Sequence, residues 1–257
     1  FKLASSNLDN AVVGLSKDER NVIYVYRYYW SSPDEKVQSA WSKYTLDSDA
    51  VILDADFRNT NLDLTVKRSD GTYLETLNMQ DGVDADLGFN VLLDQKTSVT
   101  GIYDAVNDWT TWTLEYPVSD VFRVVLGSAF TGKRASVITP TAPTSNTLRC
   151  LGNYSLGSVY IGRPYTFTFK DDKQIATVHN KLKLKNFEIL FAETGFFKVE
   201  VTPDGRSLYS YKYTGKILGN VDVIIGDVII SSGKFRFPVM GDSIKSTITI
   251  TNDTITP

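Results

Sequence analysis

The sequence YVYRYYW at residues 24–30 places five aromatic rings and one arginine within seven positions. If this segment is an extended strand, its even-numbered residues share one face and its odd-numbered residues, including Arg27, share the other. Both faces are then largely apolar, which indicates a strand that is covered on both sides. We predict that these rings form a wall between packed sheets, with an exposed binding platform as the alternative.

Alternation of apolar and polar residues continues along the rest of the chain, and this period of two is typical of half-buried antiparallel strands. Residues 181–191, KLKLKNFEILF, also predict a strand, and its apolar side changes phase after Asn186, which suits a β-bulge. No segment shows a convincing long amphipathic helix, so the prediction is an all-β fold. The clearest alternating segments are residues 62–67, 165–170, 197–202, 235–239 and 247–251.

Five short extended segments separated by turns occupy the first part of the chain, at residues 24–30, 37–46, 50–57, 62–68 and 73–79. The nearly continuous apolar run at residues 50–53 suits an inner strand that is covered on both sides. A meander of this kind is typical of a β-propeller blade and part of its neighbour. We therefore predict a propeller remnant over residues 1–82 and an antiparallel β-sandwich or barrel-like platform domain over residues 83–257. A Pro- and Thr-rich stretch predicts a linker or long loop at residues 138–150.

Composition and charge limit the classes of function. The 257 residues are 42% hydrophobic, which supports a sizeable globular core. With 27 basic and 30 acidic side chains the net charge is −3, so the chain lacks the basic surface that grips nucleic acid or anionic lipid. Cys150 is the only cysteine, so no intrachain disulfide can form. The sequence starts at Phe1 and shows neither a secretion signal nor an apolar run of membrane-spanning length.

Motifs in both halves of the chain carry a family resemblance. They are YVYRYYW and DGTYLE within residues 21–76, VYIGRPY at 159–165, KLKL at 181–184, ETGFF at 193–197 and GKFRFPV at 233–239. With these motifs the chain resembles the tail nozzle proteins, or tail tubular protein B family, of short-tailed bacteriophages. The similarity covers most of the chain and is weakest between residues 84 and 147. The motifs are structural, so they indicate a building block and not a reaction.

The resemblance implies a non-enzymatic structural component of the virion tail, assembled in the cytoplasm of the host bacterium and requiring no cofactor. It further implies a hexameric ring that closes the tail, contacts the adaptor ring of tail tubular protein A, and docks the tail fibre. Double-stranded DNA would pass through its lumen without specific binding during ejection at the host cell envelope. Because family members are considerably longer, we interpret the chain as a fragment and expect it to be monomeric or weakly associated.

Two motifs could indicate a nucleotide-binding loop or a Cys–His pair. Residues 127–134, GSAFTGKR, match the phosphate-binding pattern GxxxxGK, but Arg134 stands where a Ser or Thr would ligate magnesium. Residues 137–143 cannot continue as the helix that such a loop requires, so we predict a simple hairpin turn. His179 is the only histidine and could pair with Cys150, but the pattern favours two unrelated structural residues.

Acidic residues supply two further candidate sites. Asp81, Asp84 and Asp86 in the sequence DGVDAD could provide oxygen ligands for calcium, although the loop does not match an EF-hand. Asp54 and Asp56 would point to the same side of a strand, where two carboxylates could serve glycoside hydrolysis. Strand-end carboxylates more often cap turns or face solvent. A polysaccharide-degrading module of a phage tail therefore remains an alternative function.

Sugar binding without hydrolysis is the other form of that alternative. Aromatic rings on an exposed sheet face can stack on sugar rings, whereas buried aromatic rings fill the core. Exposure of the rings therefore separates a polysaccharide-binding module from a structural part. The candidate sugar or partner contacts are Tyr28, Tyr29, Trp30, Trp109 and Trp112.

Overall fold

The computed structural model describes residues 2–6, 8, 10–32, 35–79, 84, 86–171, 182–215 and 226–257. Within these ranges the regular secondary structure consists of β-strands alone, and every paired strand is antiparallel to its neighbour. The prediction of an all-β fold is confirmed. A helix that could cross a membrane is not found in the part of the chain that is described. The chain divides into two compact units, Phe1–Gly82 and Val83–Pro257.

The first unit contains two sheets. Its strands are β1 (Lys2–Ser6), β2 (Ala11–Leu15), β3 (Val22–Ser32), β4 (Glu35–Thr45), β5 (Val51–Arg58), β6 (Asn61–Arg68) and β7 (Gly71–Asn78). Strands β1 to β4 form a four-stranded sheet in sequential order, and β5 to β7 form a three-stranded sheet, also in sequential order. The five strands predicted between residues 24 and 79 are confirmed as β3 to β7.

Apolar side chains from both sheets form the core of the first unit. Val13 and Val25 of the first sheet and Leu62, Leu64 and Val66 of the second are all buried in it. Every second residue of β6 is buried, as its alternating sequence predicts. Full burial of such a side chain stabilises the fold by about 1.5–3 kcal/mol, so this shared core holds the two sheets together.

Strand β5 differs from its prediction. It pairs only with β6 among the described strands and lies at the edge of the three-stranded sheet. The register shifts between Ile52 and Asp54, and Leu53 between them is exposed. An extra residue in a bulge turns one apolar side chain away from the core. The run at residues 50–53 is therefore not an inner strand that is covered on both sides.

A partly buried ion-pair network joins β6 to its surroundings. The Arg68 guanidinium donates to both carboxylate oxygens of Glu75 on β7, at 2.8 and 3.1 Å, and to Asp47 before β5, at 2.9 Å. The Arg68 side chain is only 10% exposed. The planar fork of a guanidinium matches the geometry of a carboxylate, so one side chain fixes two segments at once.

The described strands of the second unit are β8 (Leu93–Thr100), β9 (Ile102–Asp104), β10 (Trp109–Thr113), β11 (Arg123–Leu126), β12 (Val137–Ile138), β13 (Thr141–Thr144), β14 (Thr147–Leu151), β15 (Ser158–Pro164), β16 (Phe167–Lys170), β17 (Lys183–Thr194), β18 (Phe196–Thr202), β19 (Tyr209–Thr214), β20 (Ser231–Asp242) and β21 (Thr247–Asn252). They form four sheets, in which the strand orders are β13-β14-β10-β9, β12-β11-β15-β8, β16-β21-β18-β19 and β17-β20.

Pairs of these sheets pack face to face. Trp112 and Leu148 of the first sheet share one core with Val124, Val159 and Ile161 of the second. The third sheet shares another core with the two-stranded β17–β20 sheet. These are the layers of a sandwich, and none of the described sheets closes into a barrel.

The predicted strand with a bulge at residues 181–191 is confirmed, whereas the predicted burial of the strand at residues 165–170 is not. Strand β17 pairs with β20, and the first of two register shifts lies between Leu184 and Asn186. Strand β16 forms where the alternating residues 165–170 predict it, but Phe167 and Phe169 are both exposed. Because β16 lies at the edge of its sheet, the apolar face of the strand is left uncovered by the described residues.

The stretch at residues 138–150 is not a linker. Strands β13 and β14 form there and pair with each other, and β14 continues the sheet by pairing with β10. Leu148 is fully buried in the sandwich core. Pro143 lies on the edge strand β13, where a missing backbone donor is tolerated, and Pro140 precedes that strand, so a strand can form in spite of both.

Candidate functional site

The inner face of the YVYRYYW segment belongs to the core of the first unit. Ile23 and Val25 are fully buried there. Arg27, the next residue on that face, donates from Nη2 to the carbonyl oxygen of Met79. This face of β3 therefore packs as the predicted wall. The side chains of Tyr29 and Trp30 lie outside the described part of the structure.

The outer face of the same sheet carries a row of aromatic rings, termed here the Tyr26 face, formed by Tyr24, Tyr26, Tyr28 and Trp41. The Tyr26 ring centroid lies 5.1 Å from that of Trp41 and 6.1 Å from that of Tyr28. The three tyrosines are half-buried, and Trp41 is 62% exposed. The described residues leave this face partly exposed, so cover on both sides of β3 stays a prediction for the Tyr26 face.

A small polar cluster closes one end of the Tyr26 face. Tyr24 donates its hydroxyl to Glu19, and Lys43 forms an ion pair with the same carboxylate at 3.0 Å. The hydrogen bonds from Tyr24 and then Lys43 lower the pKa of Glu19, and the bond to Glu19 raises the pKa of Tyr24. The cluster orients the Tyr24 ring along the sheet.

Strand β10, with the sequence WTTWT, separates its two tryptophans. Thr110 and Trp112 point into the sandwich core and are 0% exposed, whereas Trp109 and Thr111 lie on the opposite, outer face. Two residues that are three positions apart on a strand must face opposite sides. Trp112 is therefore a core residue that cannot stack on a ligand, while the half-buried Trp109 is accessible.

A shallow depression of about 210 Å³ surrounds Trp109 on that outer face. The residues that line it, termed here the Trp109 face, are Asp104, Asn107, Trp109, Thr111 and Arg149. Register explains why they meet, because Trp109 pairs with Asp104 on β9 and Thr111 pairs with Arg149 on β14. Directly paired residues in antiparallel strands point to the same face.

The turn from β9 to β10 is held rigidly beside the depression. The Asp104 carboxylate accepts the amide of Val106 at 2.9 Å and the side-chain nitrogen of Asn107 at 2.7 Å. These two bonds, the Asn107 side chain first, lower the pKa of Asp104. Asp108 adopts a left-handed backbone with φ of 54° and accepts the hydroxyl of Tyr103 at 2.8 Å.

A buried hydroxyl fixes the base of the same face. Thr110 donates to the carbonyl oxygen of Gly152 at 2.7 Å and accepts the amide of Tyr154 at 2.8 Å. The Tyr154 ring lies 6.3 Å from the Trp112 ring beneath the sheet. These contacts join β10 to the segment after β14, so the outer face is preorganised.

Arg149 supplies the positive charge of the Trp109 face. Its guanidinium carbon lies 5.7 Å from the centre of the Trp109 ring, in cation–π geometry. Its Nε is buried and has no hydrogen-bond partner within the described residues. Because this nitrogen has no exposed surface, a donor to a bound molecule must come from the other nitrogens of the guanidinium.

The two aspartates proposed for hydrolysis are exposed on the edge strand β5. Asp54 forms an ion pair with Lys2 and accepts the amide of Ala55 at 2.8 Å. Asp56 accepts the amide of Phe57 at 2.8 Å. These partners give each carboxylate a local structural role at the strand edge.

The residues of DGVDAD contact separate partners. Asp84 accepts the amide of Val91 at 2.7 Å and forms an ion pair with Lys96 at 2.9 Å. Asp86 instead accepts the amide of Ser128 at 2.9 Å. Asp81 lies outside the described residues, and in the described ranges no group of three potential ligands could hold a metal ion.

The GxxxxGK segment forms a hairpin, as predicted. Strands β11 and β12 pair on either side of it, and the loop closes through the amide of Ala135, which donates to the carbonyl of Leu126 at 2.9 Å. Arg134 donates to the carbonyl of Leu87, and its own amide donates to Asp227 at 3.0 Å. Arg134 therefore anchors the loop to neighbouring segments.

Of the proposed Cys–His pair, His179 lies outside the described residues and Cys150 lies within them. Cys150 is half-buried on β14 as a free thiol, and burial raises its pKa. A raised pKa reduces the thiolate fraction at neutral pH, which favours a structural cysteine over a reactive one.

Comparison with known proteins decides the family. A family model described as bacteriophage nozzle protein matches the whole chain, residues 1–257. The chain belongs to this family. The resemblance found in the sequence motifs is therefore confirmed, and the nozzle-family chain is a structural component of a phage tail.

The chain is also similar to an individual phage tail protein. Tail tubular protein gp12 of Escherichia phage T7 is 22% identical to the nozzle-family chain over 278 aligned positions. The alignment covers the whole of this chain but 35% of the length of that relative. The chain therefore spans about a third of the length of this relative, which is a tail protein by name.

Trp109 can be identified from the sequence, but the polar residues around it cannot. Arg149 is far from Asp104 in the chain, and Asn107 lies in the turn between β9 and β10. The register of three strands brings these side chains together. The spacing of Trp109 and Trp112 was the available signal, since it already assigns the two rings to opposite faces of one strand.

Proposed function

We propose that this chain forms part of the wall of a hexameric tail nozzle, through which double-stranded DNA leaves the virion. The observation that carries the proposal is the match of the nozzle family to all 257 residues. In a closed ring, a head-to-tail contact repeats around an axis and leaves a central lumen. The role is mechanical, so the proposal includes no catalytic residue and no cofactor.

The first unit serves in this proposal as propeller blades. A four-stranded antiparallel sheet in sequential order is the topology of a blade, and β1 to β4 have that order. Strands β5 to β7 are then part of a neighbouring blade. The half-exposed Tyr26 face would pack against a further blade, because large rings fill the wedge-shaped space between blades.

The charge of the chain suits a DNA conduit that does not bind its cargo. Its net charge is −3; acidic side chains along a lumen repel the phosphate backbone, and neutral ones do not attract it. DNA would therefore slide past the wall without specific contacts. Loops at the constriction would move during ejection.

In this proposal the nozzle is located at the tail of the virion. The virion is assembled in the cytoplasm of the host bacterium. The partners of the nozzle would be the adaptor ring of tail tubular protein A, the tail fibre and, during ejection, the host cell envelope. The match to tail tubular protein gp12, a tail protein by name, supports assembly with other tail proteins in general.

Copy number in purified virions tests the proposal. Labelled peptides from both units of the chain, added as standards, allow its copies per virion to be counted by mass spectrometry. A cyclic six-membered ring predicts about six copies of each peptide. Absence of the chain from virions, or a copy number incompatible with one such ring, would overturn the proposal.

A further inference from the structure

The Trp109 face combines an aromatic ring with polar groups on an open, flat sheet. Trp109 lies on the side of β10 that faces away from the core, and the exposed Ile102 and Leu151 lie on the same side. The polar side chains of Asp104 and Arg149 flank the ring. A ligand of this face must therefore offer one apolar side and a rim of hydrogen-bonding groups.

We propose that the Trp109 face binds a saccharide, with the ring of one sugar residue stacked on Trp109 and its hydroxyl groups held by Arg149 and Asn107. A pyranose has an apolar face of C–H bonds and an edge of hydroxyls, which matches this arrangement of indole and polar side chains. The proposal goes beyond the nozzle role and does not depend on it.

Hydrogen-bonding capacity supports a saccharide over a purely apolar ligand. Arg149 lines the depression, and its guanidinium carries N–H donors that can bind a sugar oxygen. The amide oxygen of Asn107 can accept a hydroxyl while its nitrogen remains bound to Asp104. Donors and acceptors of both kinds therefore line the same depression.

The face is preorganised, which lowers the cost of binding. Asp104 fixes the turn, and Thr110 fixes the strand from the opposite side through bonds of 2.7 and 2.8 Å. Trp109 is also restrained by the Arg149 guanidinium at 5.7 Å. Few side chains need to be ordered when a ligand arrives, so even a shallow face can bind a sugar weakly.

Hydrolysis is not part of this inference. The Asp104 carboxylate already accepts two backbone amides and the Asn107 side chain. Its partners lower its pKa, so it is ionised at neutral pH and cannot act as an acid there. The face holds a sugar and leaves the glycosidic bond intact.

Nuclear magnetic resonance of the indole N–H groups tests the proposal on the whole chain. Neutral hexose oligomers, such as maltohexaose and cellohexaose, and an acidic oligomer, oligogalacturonate, are titrated separately to millimolar concentration. We expect at least one of them to shift the Trp109 resonance with saturation, while the resonance of the buried Trp112 shifts less. Binding confined to the acidic oligomer would assign a carboxylate to Arg149, and binding of the neutral ones would assign hydroxyls.

Three variants locate the binding. Trp109→Ala should weaken affinity at least about tenfold, equivalent to about 1.4 kcal/mol, and Arg149→Ala about fivefold. Trp41→Ala removes an exposed indole in the other unit and is the matched control, with no change expected. Unfolding midpoints establish that the variants are folded, and Arg149→Ala provides the test if Trp109→Ala is not.

Two results would overturn the inference. The first is that none of the three oligomers shifts the Trp109 resonance at millimolar concentration. The second is that binding is equally strong in folded Arg149→Ala or Trp109→Ala protein. If it is also lost in Trp41→Ala, the sugar binds the Tyr26 face instead.

Discussion

The ring of Tyr26 lies 5.1 Å from that of Trp41, centroid to centroid, on the outer face of the first sheet. Trp41 is 62% exposed, so the pair is formed at a surface and not within the core. Exposure of such an apolar face to water is energetically unfavourable, and such a face is typical of a surface that another sheet or protein covers.

We predict that Trp41→Ala has little effect on the stability of the chain but reduces its incorporation into virions. Because Trp41 is mostly exposed, the free energy of unfolding should fall by about 1 kcal/mol or less. Incorporation of the variant into virions should nevertheless drop, because the ring would fill space between blades. Urea denaturation and quantitative mass spectrometry of virions measure the two effects. Normal incorporation of Trp41→Ala would show that this face is not packed in the tail.

Removal of Arg68 should destabilise the first unit strongly. Arg68→Ala leaves Asp47 and Glu75 without their shared cation in a site where the arginine is 10% exposed. We expect a loss of about 2–4 kcal/mol in the free energy of unfolding. Arg58→Ala breaks the solvent-screened ion pair with Asp63 and is the matched control, with a much smaller expected loss. Equal losses in urea denaturation would contradict the assigned role of burial.

Two glycines with positive φ should respond differently to alanine. Gly205 has φ of 67° and open space around the position of a Cβ, whereas Gly226 has φ of 101° and a Cβ there would collide with the carbonyl oxygen of Gly132. Gly205→Ala should cost about 1–2 kcal/mol from backbone strain alone, and Gly226→Ala clearly more. Thermal unfolding of both variants decides this, and a milder effect at Gly226 would refute the packing of that loop.

Much of the fold follows from alternation in the sequence, and its failures have physical causes. Strand β6 is buried at Leu62, Leu64 and Val66, as its period of two predicts. The same rule failed for β16, because burial needs a covering layer and Phe167 lies on an edge strand. Leu53 also escaped prediction, since a bulge is set by the pairing of β5 with β6 and not by local composition.

The candidate sugar site was predictable only in part. A tryptophan on a strand is visible in the sequence, and its distance from Trp112 already separates the two faces. Arg149 joins Trp109 through the register between β10 and β14, which the sequence of either strand does not contain. The shallow shape of the face depends on the same register.

Stability should fall in acid. Hydrogen bonds from Arg58 and then Thr76 lower the pKa of Asp63, and those from Asn107 and the amide of Val106 lower the pKa of Asp104, both from an ordinary value of 3.8. A group whose pKa is lower in the folded state contributes stability that is present above its unfolded pKa. That contribution is lost as pH falls through the lower folded pKa.

We therefore expect the free energy of unfolding to be flat near neutral pH and to decrease from about pH 4 downward. Urea denaturation between pH 7 and pH 2.5 measures the decrease. The double variant Asp63→Asn, Asp104→Asn should show a weaker dependence than the unaltered chain. An increase in stability on acidification, or an identical dependence in the variant, would show that these hydrogen bonds do not favour the ionised carboxylates.

Cryo-electron microscopy of the intact tail of the phage that encodes this chain is the most direct test of the nozzle assignment. The account predicts six copies of both units, arranged around the tail axis, with their walls enclosing a lumen wide enough for duplex DNA. It further predicts that the Tyr26 face is covered by a neighbouring sheet. Density for the chain outside the tail, or in a tail structure without a central lumen, would contradict the account.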